Sequence, residues 1–305
     1  MLTTPSDKPN LRGWNWLPAK PAENAPLFAW PPQPAKVASW FKANYLTLSI
    51  RTVVLTLALI SWLFLTPAAD VARELAPGWI LGLYARNLIM MLIVAGGLHL
   101  YFYTWRKQGT ERKFDKRAMA KDAPTFNFND QVWDNVYYSI VYGVTFWTLL
   151  EVGLLWAFAN EIVATVSFAE NPVWFIALVL LIPIWHSLHF YWTHRLLHWK
   201  PLYKSVHAVH HRNVNIGPWS GMSMHPVESF IYLTSVLVHL VVISSPFHVI
   251  FHLQYMIFNA VIAHSGFESL LVKDKEVAQV GRFFHHMHHR YFECNYGSLE
   301  IPWDR

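Results

Sequence analysis

Apolar residues in this chain come in long blocks separated by short polar breaks, not in the alternating or three-to-four-residue rhythm of a water-soluble fold. A helix that crosses a bilayer needs about 20 consecutive, mostly apolar residues. Four blocks meet that length, at about 46–66, 79–103, 137–159 and 172–193. A fifth, at about 229–263, is too long for one crossing and is divided by Pro246. It therefore reads as a hairpin of two short helices that either crosses or only dips into the membrane. The pattern predicts an all-α, multi-pass membrane protein: four transmembrane helices, a re-entrant or short helical hairpin, and a helical cap rich in histidine. Residues 1–44 are polar and Pro-rich, with no apolar core near the start, so a surface-lying arm is expected and a secretory signal is not. The chain then divides into this arm (1–44), a first transmembrane pair with its basic loop (45–135), and a histidine-bearing region (136–305).

Composition agrees with a membrane setting. Of 305 residues, 54% are hydrophobic and only 14% are charged, against about 25% charged in an ordinary soluble domain. The net charge is +5, but the basic residues flank apolar spans, so an anionic membrane face is the expected partner and nucleic acid is not. Cys294 is the only cysteine, which excludes an intramolecular disulfide and a cysteine-built zinc or iron–sulfur site. The 106–121 connection carries Arg106, Lys107, Arg112, Lys113, Lys116, Arg117 and Lys121, whereas 160–171 carries Glu161 and Glu170 and no Lys or Arg. The positive-inside rule puts the first loop in the cytoplasm and the second outside. Lys8, Arg12, Lys20, Lys36 and Lys42 place the arm on the cytoplasmic side as well. The fourth span then delivers His194 to the cytoplasmic surface. If the hairpin returns to its own side, the end of the chain joins it there.

Three histidine clusters fall on that surface: His194-x-x-x-His198, His207-x-x-His210-His211 and His285-His286-x-His288-His289. Residues three and four apart are neighbours on a helix, so each cluster presents its imidazoles to one side. At about 100° per residue, His189 points away from His194, His186 is marginal, and His286 lies off the stripe of His285, His288 and His289. Eight clustered imidazoles exceed the needs of one zinc ion and suit two ions of iron, copper, nickel or zinc. The zinc-protease motif HExxH is absent. No carboxylate lies within the clusters, unlike soluble di-iron bundles. His99, His239, His248 and His252 stand alone and read as interfacial or packing residues.

The segments Tyr191-Trp192-Thr193-His194-Arg195 with His198, His207-x-x-His210-His211, His225-Pro226-Val227-Glu228, His285-x-x-His288-His289 and Pro302-Trp303-Asp304-Arg305 resemble the fatty acid hydroxylase/sterol desaturase superfamily over about 180–305. The resemblance implies a membrane-bound oxidoreductase with two non-haem irons that hydroxylates or desaturates a lipid. It uses O2 and electrons from a separate redox partner, a ferredoxin or b-type cytochrome served by an NAD(P)H-dependent reductase. It makes 136–305 the catalytic region and adds His264 as a ninth ligand beside the eight clustered histidines. His225, His286 and Glu228 become additional ligands or supports for the ligands. Glu268 and Glu293 are further candidates to orient an imidazole, although a solvated or capping carboxylate is the ordinary reading. Trp192 and Trp219, with Trp185 and Trp199, are candidates for the substrate entrance, against ordinary interfacial anchoring. Asn259 is expected to point away from His264. An Asp usual in the family is Ser187 here, and the family's stretch beyond Trp-Asp-Arg is missing after Arg305, which implies a shortened tail or a truncated chain. A bacterial inner membrane is favoured over an endoplasmic reticulum. The competing readings are a membrane metal-binding protein or transporter, with ligands near the bilayer midplane, and a haem cytochrome with axial histidines on facing spans.

Overall fold

The computed structural model describes residues 14–19 and 22–304. The expectations for Lys8, Arg12, Lys20 and Arg305 lie outside the described residues. Helix α1 (Pro34–Tyr45) meets α2 (Ile50–Phe64) at a 47° bend. The Ser49 side chain accepts from the Thr52 amide, and the Ser49 amide donates back to Thr52, which starts α2 in register with the apolar run. Three long helices follow: α3 (Pro77–Thr104), α4 (Gln131–Ala159) and α5 (Pro172–Leu197). Asp130 caps α4, and Asn171 caps α5 with Pro172 in the first turn. A short helical stretch, α6 (200–211), leads to α7 (Pro226–Leu240), α8 (Pro246–Ala263) and α9 (Phe283–Tyr291). Four of these helices, α3, α4, α5 and α8, are long and apolar enough to cross a membrane, and the bent α1–α2 pair makes up to five.

One expectation changes. The first predicted span is real as a helix, but α2 has 15 residues and reaches crossing length only together with α1. The divided apolar region, left open between a crossing and a dip, runs between the two ends of the bundle. Its first half, α7, starts beside the histidines, where Glu228 meets His207. It leads to Ser244, which pairs with Thr165 at the opposite end of the bundle, and α8 returns from there. Among the described residues the helical pattern is interrupted by one small antiparallel hairpin, β1 (Ser269–Val272) and β2 (Lys275–Gln279), between α8 and α9.

Helix α8 is the axis of the molecule. Every residue from Phe247 to Ala263 except Asn259 is buried, as expected of a helix that is apolar on all sides and surrounded by others. It packs on α2, α4, α5 and the Pro218–Met222 turn. That turn reaches α8 through Gly221, where a Cβ would stand 2.6 Å from the Ala260 carbonyl oxygen. Only glycine allows this approach. Between α3 and α4, Arg86 and Glu151 form a buried ion pair joined by Asn87 and Thr148, so a charge in the middle of two spans is paired. The isolated histidines also find partners. His239 bonds Ser244 and His252, His252 bonds Ser235, and His248 bonds Ser245 and the Phe175 carbonyl.

Candidate metal centre

All three histidine clusters meet at one end of the bundle. α5 supplies His194 and, at its C-terminal cap, His198. α6 supplies His207, His210 and His211, α8 supplies His264 at its cap, and α9 supplies His285, His288 and His289. The nine imidazoles separate into two groups. His194, His198, His207, His211 and His288 form the first, and His210, His264, His285 and His289 form the second. Within each group one ring nitrogen per residue lies within 4.8 Å of all the others. The groups abut: the His211 and His289 rings are 4.8 Å apart and nearly parallel.

The hydrogen bonds fix which nitrogens face inward. Nδ1 of His194 donates to the Tyr296 carbonyl at 2.6 Å, and Nδ1 of His288 donates to Cys294 at 2.6 Å. His264 donates to Ala260 at 2.7 Å, and His289 and His210 donate to Asn213 and Ser223, each at 3.1 Å. A carbonyl oxygen can only accept, so in each ring Nδ1 carries the proton. Burial holds His288 down to about 3 and His198 and His210 down to about 4, so these rings are neutral near pH 7. The Nε2 atoms of His194 and His288, 3.0 Å apart, and of His264 and His289, 3.1 Å apart, therefore face one another as bare lone pairs. Nε2 of His288 also lies 3.1 Å from that of His211 and 3.2 Å from that of His198. Such convergence is repulsive unless a cation lies among the nitrogens. Two imidazole nitrogens held at right angles about 2.1 Å from one ion would be about 3.0 Å apart. The donor set, neutral imidazole without thiolate or carboxylate, fits iron and its neighbours in the first transition row.

Other expected residues fall outside both groups. His286 is buried, not exposed, and packs edge-on against Trp14 and Phe114 with neither ring nitrogen partnered. His225 caps α7 by accepting from the Val227 amide. Glu228 does reach the site: its Oε1 accepts from His207 Nδ1 at 2.7 Å and turns Nε2 of that ring inward. Glu268 is instead held by Trp16 and Arg112. His189 bonds Thr234, as its angle on α5 implies. Ser187 bonds Ser298 at 2.6 Å, tying α5 to the C-terminal segment.

A cavity adjoins the centre, with a free volume of about 60 Å³. Its lining includes His194, His207, His210, His264 and His285 together with largely apolar residues such as Phe190, Met224 and Tyr232. Neither Trp192 nor Trp219 lines it. Trp192 is exposed against Trp303, and Trp219 is buried with its ring over Gly96. The entrance role expected of these two finds no support in their positions. The lining includes three polar residues that the sequence reading did not single out as site residues: Arg282, Asn259 and Ser298. Arg282 stands one helical turn before His285, and that spacing was its only sequence signal. Asn259, expected to point elsewhere, bonds Arg282 at 3.1 Å.

Residues 178–305 match the model of the fatty acid hydroxylase family, and this match contains all nine histidines. The region belongs to the fatty acid hydroxylase/sterol desaturase superfamily. Among relatives of the hydroxylase region, Delta(7)-sterol 5(6)-desaturase of Candida dubliniensis is 35% identical over 118 residues, 38% of this chain and 29% of that protein. The enzyme of the same name from Saccharomyces cerevisiae is 33% identical, over 38% of this chain and 31% of its own length. A Gibberella zeae counterpart is 33% identical over 133 residues, 41% of this chain and 39% of that protein. The chain thus spans about a third of the length of the curated relatives it matches. All three are fungal proteins and give no weight to a bacterial inner membrane. No solved structure matches the chain.

Proposed function

We propose that this protein is a membrane-bound oxygenase that hydroxylates or desaturates a lipid with O2 at two non-haem irons. The observation that carries the reading is the pair of abutting, buried, all-imidazole groups beside a largely apolar cavity. His194, His198, His207, His211 and His288 would hold one ion, and His210, His264, His285 and His289 the other. Bound iron supplies O2 activation and the oxidising power to remove hydrogen from an unactivated C–H bond. The protein's own residues orient and shield. Backbone carbonyls and Glu228 hold the Nδ1 protons and so direct Nε2 lone pairs inward. Phe190, Met224 and Tyr232 exclude water beside the imidazoles. The sterol desaturases among the relatives make a sterol one candidate substrate, and a fatty acyl chain is the other.

The ligands sit at the ends of α5 and α8 rather than at mid-span, which favours an oxygenase over a transporter. Electrons come from a separate donor, a ferredoxin or b-type cytochrome, and the histidine end faces the cytoplasm by the charge of the 106–121 loop. The test is metal analysis of the purified protein together with lipid mass spectrometry of cells with and without it. About two irons per chain and a lipid gaining one oxygen, or losing two hydrogens, are expected. Both should vanish in His210→Ala and His288→Ala. Unchanged lipids in the presence of a fully loaded protein would refute the reading.

A further inference from the structure

We propose that Arg282 and Asn259 form a docking site for the oxygen-bearing polar end of the substrate lipid, one helical turn from the metal ligands. The inference rests on the lipid-oxidising reading above for the nature of the ligand, and on the cavity for its place.

Arg282 and Asn259 line the same cavity as His264 and His285. Arg282 precedes His285 by three residues on the way into α9, and such residues have Cβ atoms about 5–6 Å apart. Both hydrogen bonds of its guanidinium come from Nη2, to Asn259 Oδ1 at 3.1 Å and to Glu300 Oε1 at 3.4 Å. Glu300 is already engaged more closely by Arg51, at 2.9 Å. Burial would raise the Glu300 carboxyl, but Arg282 and Arg51 outweigh it and hold it down to about 2. Two guanidiniums thus share one ionised carboxylate, and positive charge remains against a cavity wall that is otherwise mostly apolar. The Arg282 side chain is 23% exposed, so guanidinium donors beyond these two bonds are open to a ligand, and an acceptor oxygen can take one up. A hydroxyl or a carboxylate at the polar end of a lipid supplies that oxygen, and a plain alkyl chain does not.

The consequence is positional. Because Arg282 and Asn259 share the cavity lining with His264 and His285, whatever touches Arg282 is held close to the imidazoles. With the polar end held there, the carbon presented to the metal centre lies a few bonds from that end and not at a distant methyl terminus.

The alternative is that Arg282 only pins the C-terminal segment to α9. Binding measurements on the full-length protein in nanodiscs separate the two. The probes are two pairs: palmitic acid with hexadecane, and cholesterol with 5-cholestene, which lacks the 3-hydroxyl. In the wild type, at least one oxygen-bearing probe should bind about tenfold or more tighter than its oxygen-free partner, the size expected of one hydrogen bond to a charged group. Arg282→Gln should erase that preference while leaving the oxygen-free probe's affinity unchanged, and Arg282→Lys should keep part of it. A purely structural Arg282 would weaken both members of a pair alike. Equal affinities in both wild-type pairs, no binding of any probe, or a preference that survives Arg282→Gln would overturn the proposal. If Arg282→Gln does not fold, Asn259→Leu and Arg282→Lys carry the same comparison. The pair that shows the preference distinguishes a carboxylate from a hydroxyl. The measurement needs no turnover, so a protein that binds the head group yet carries no iron would sink the oxygenase reading and leave this one standing.

Discussion

At the scale of single residues, the histidine clusters divide in a way that face arithmetic contains but does not announce. At about 100° per residue, His207 and His211 lie about 40° apart, while His210 falls about 60° to the other side of His207. Read as one stripe, these three seem to share an ion. In the structure the i, i+4 pair goes to the first group and the residue between them to the second. α9 does the converse, giving His285 and His289 to the second group and His288 to the first. That each cluster presents imidazoles to a common place was legible from spacing. The partition was not, because it depends on how α6 and α9 face one another. Glu228 is the residue that spacing left open and that contact resolves. Its carboxylate accepts the Nδ1–H hydrogen bond of His207 at 2.7 Å, and loss of such a partner typically costs 10–100-fold in metal affinity. Glu228→Ala should show that loss in competitive chelation, with Glu228→Gln retaining more affinity because its amide oxygen can still accept. Equal affinity in all three proteins would remove Glu228 from the site.

At the scale of elements, the long apolar blocks gave α3, α4 and α5 with little displacement, because a bilayer-length run leaves a chain few choices. The 229–263 region was harder. Pro246 marked its break correctly, but nothing local says that a 15-residue helix such as α7 (Pro226–Leu240) runs the depth of the bundle. That depends on packing against α4, α5 and α8. The small β-hairpin was missed because its four- and five-residue strands carry no periodicity longer than themselves. The close approach of the Pro218–Met222 turn to α8 yields a prediction. Gly221→Ala would push a methyl group to 2.6 Å from the Ala260 oxygen and displace α8 just before His264. A loss of about 1–3 kcal/mol is expected, read as a lowered melting temperature, with weaker metal retention in the second group. The ion cluster of Arg51, Glu300 and Arg282 yields another. The Glu300 carboxyl, ordinarily near 4.5, is held down to about 2 in the folded protein. Its contribution to stability is therefore complete above about pH 4.5 and disappears as the pH falls toward 2. Thermal melts of the wild type should lose stability across that window by more than those of Glu300→Gln. Parallel acid profiles would show that the carboxylate carries no such contribution.

At the scale of the whole molecule, the two ends of the helical bundle have opposite charge characters. The end that gathers the histidines also carries the 106–121 loop, through Phe114 bonded to Gly266 and Asp115 facing Arg290. The other end holds the acidic 160–171 connection, where Thr165 meets Ser244. This polarity makes the orientation testable with a membrane-impermeant thiol reagent on a Cys294→Ser background. A cysteine placed at Lys107 should be labelled only from the cytoplasmic side, and one placed at Glu161 only from the other. The reverse pattern would turn the histidine end outward and remove the support for a cytoplasmic electron donor.

The C-terminal segment has a practical consequence. The Asp304 carboxylate accepts from the amides of Tyr296 and Gly297 at 2.9 and 2.7 Å, and the Tyr296 and Cys294 carbonyls are the ones that fix His194 and His288. The 294–304 backbone is thus a splint for two imidazoles of the first histidine group. A substitution that removes the Asp304 carboxylate slackens that splint, so a poorly metallated preparation of such a variant would report on the tether and not on the imidazoles themselves.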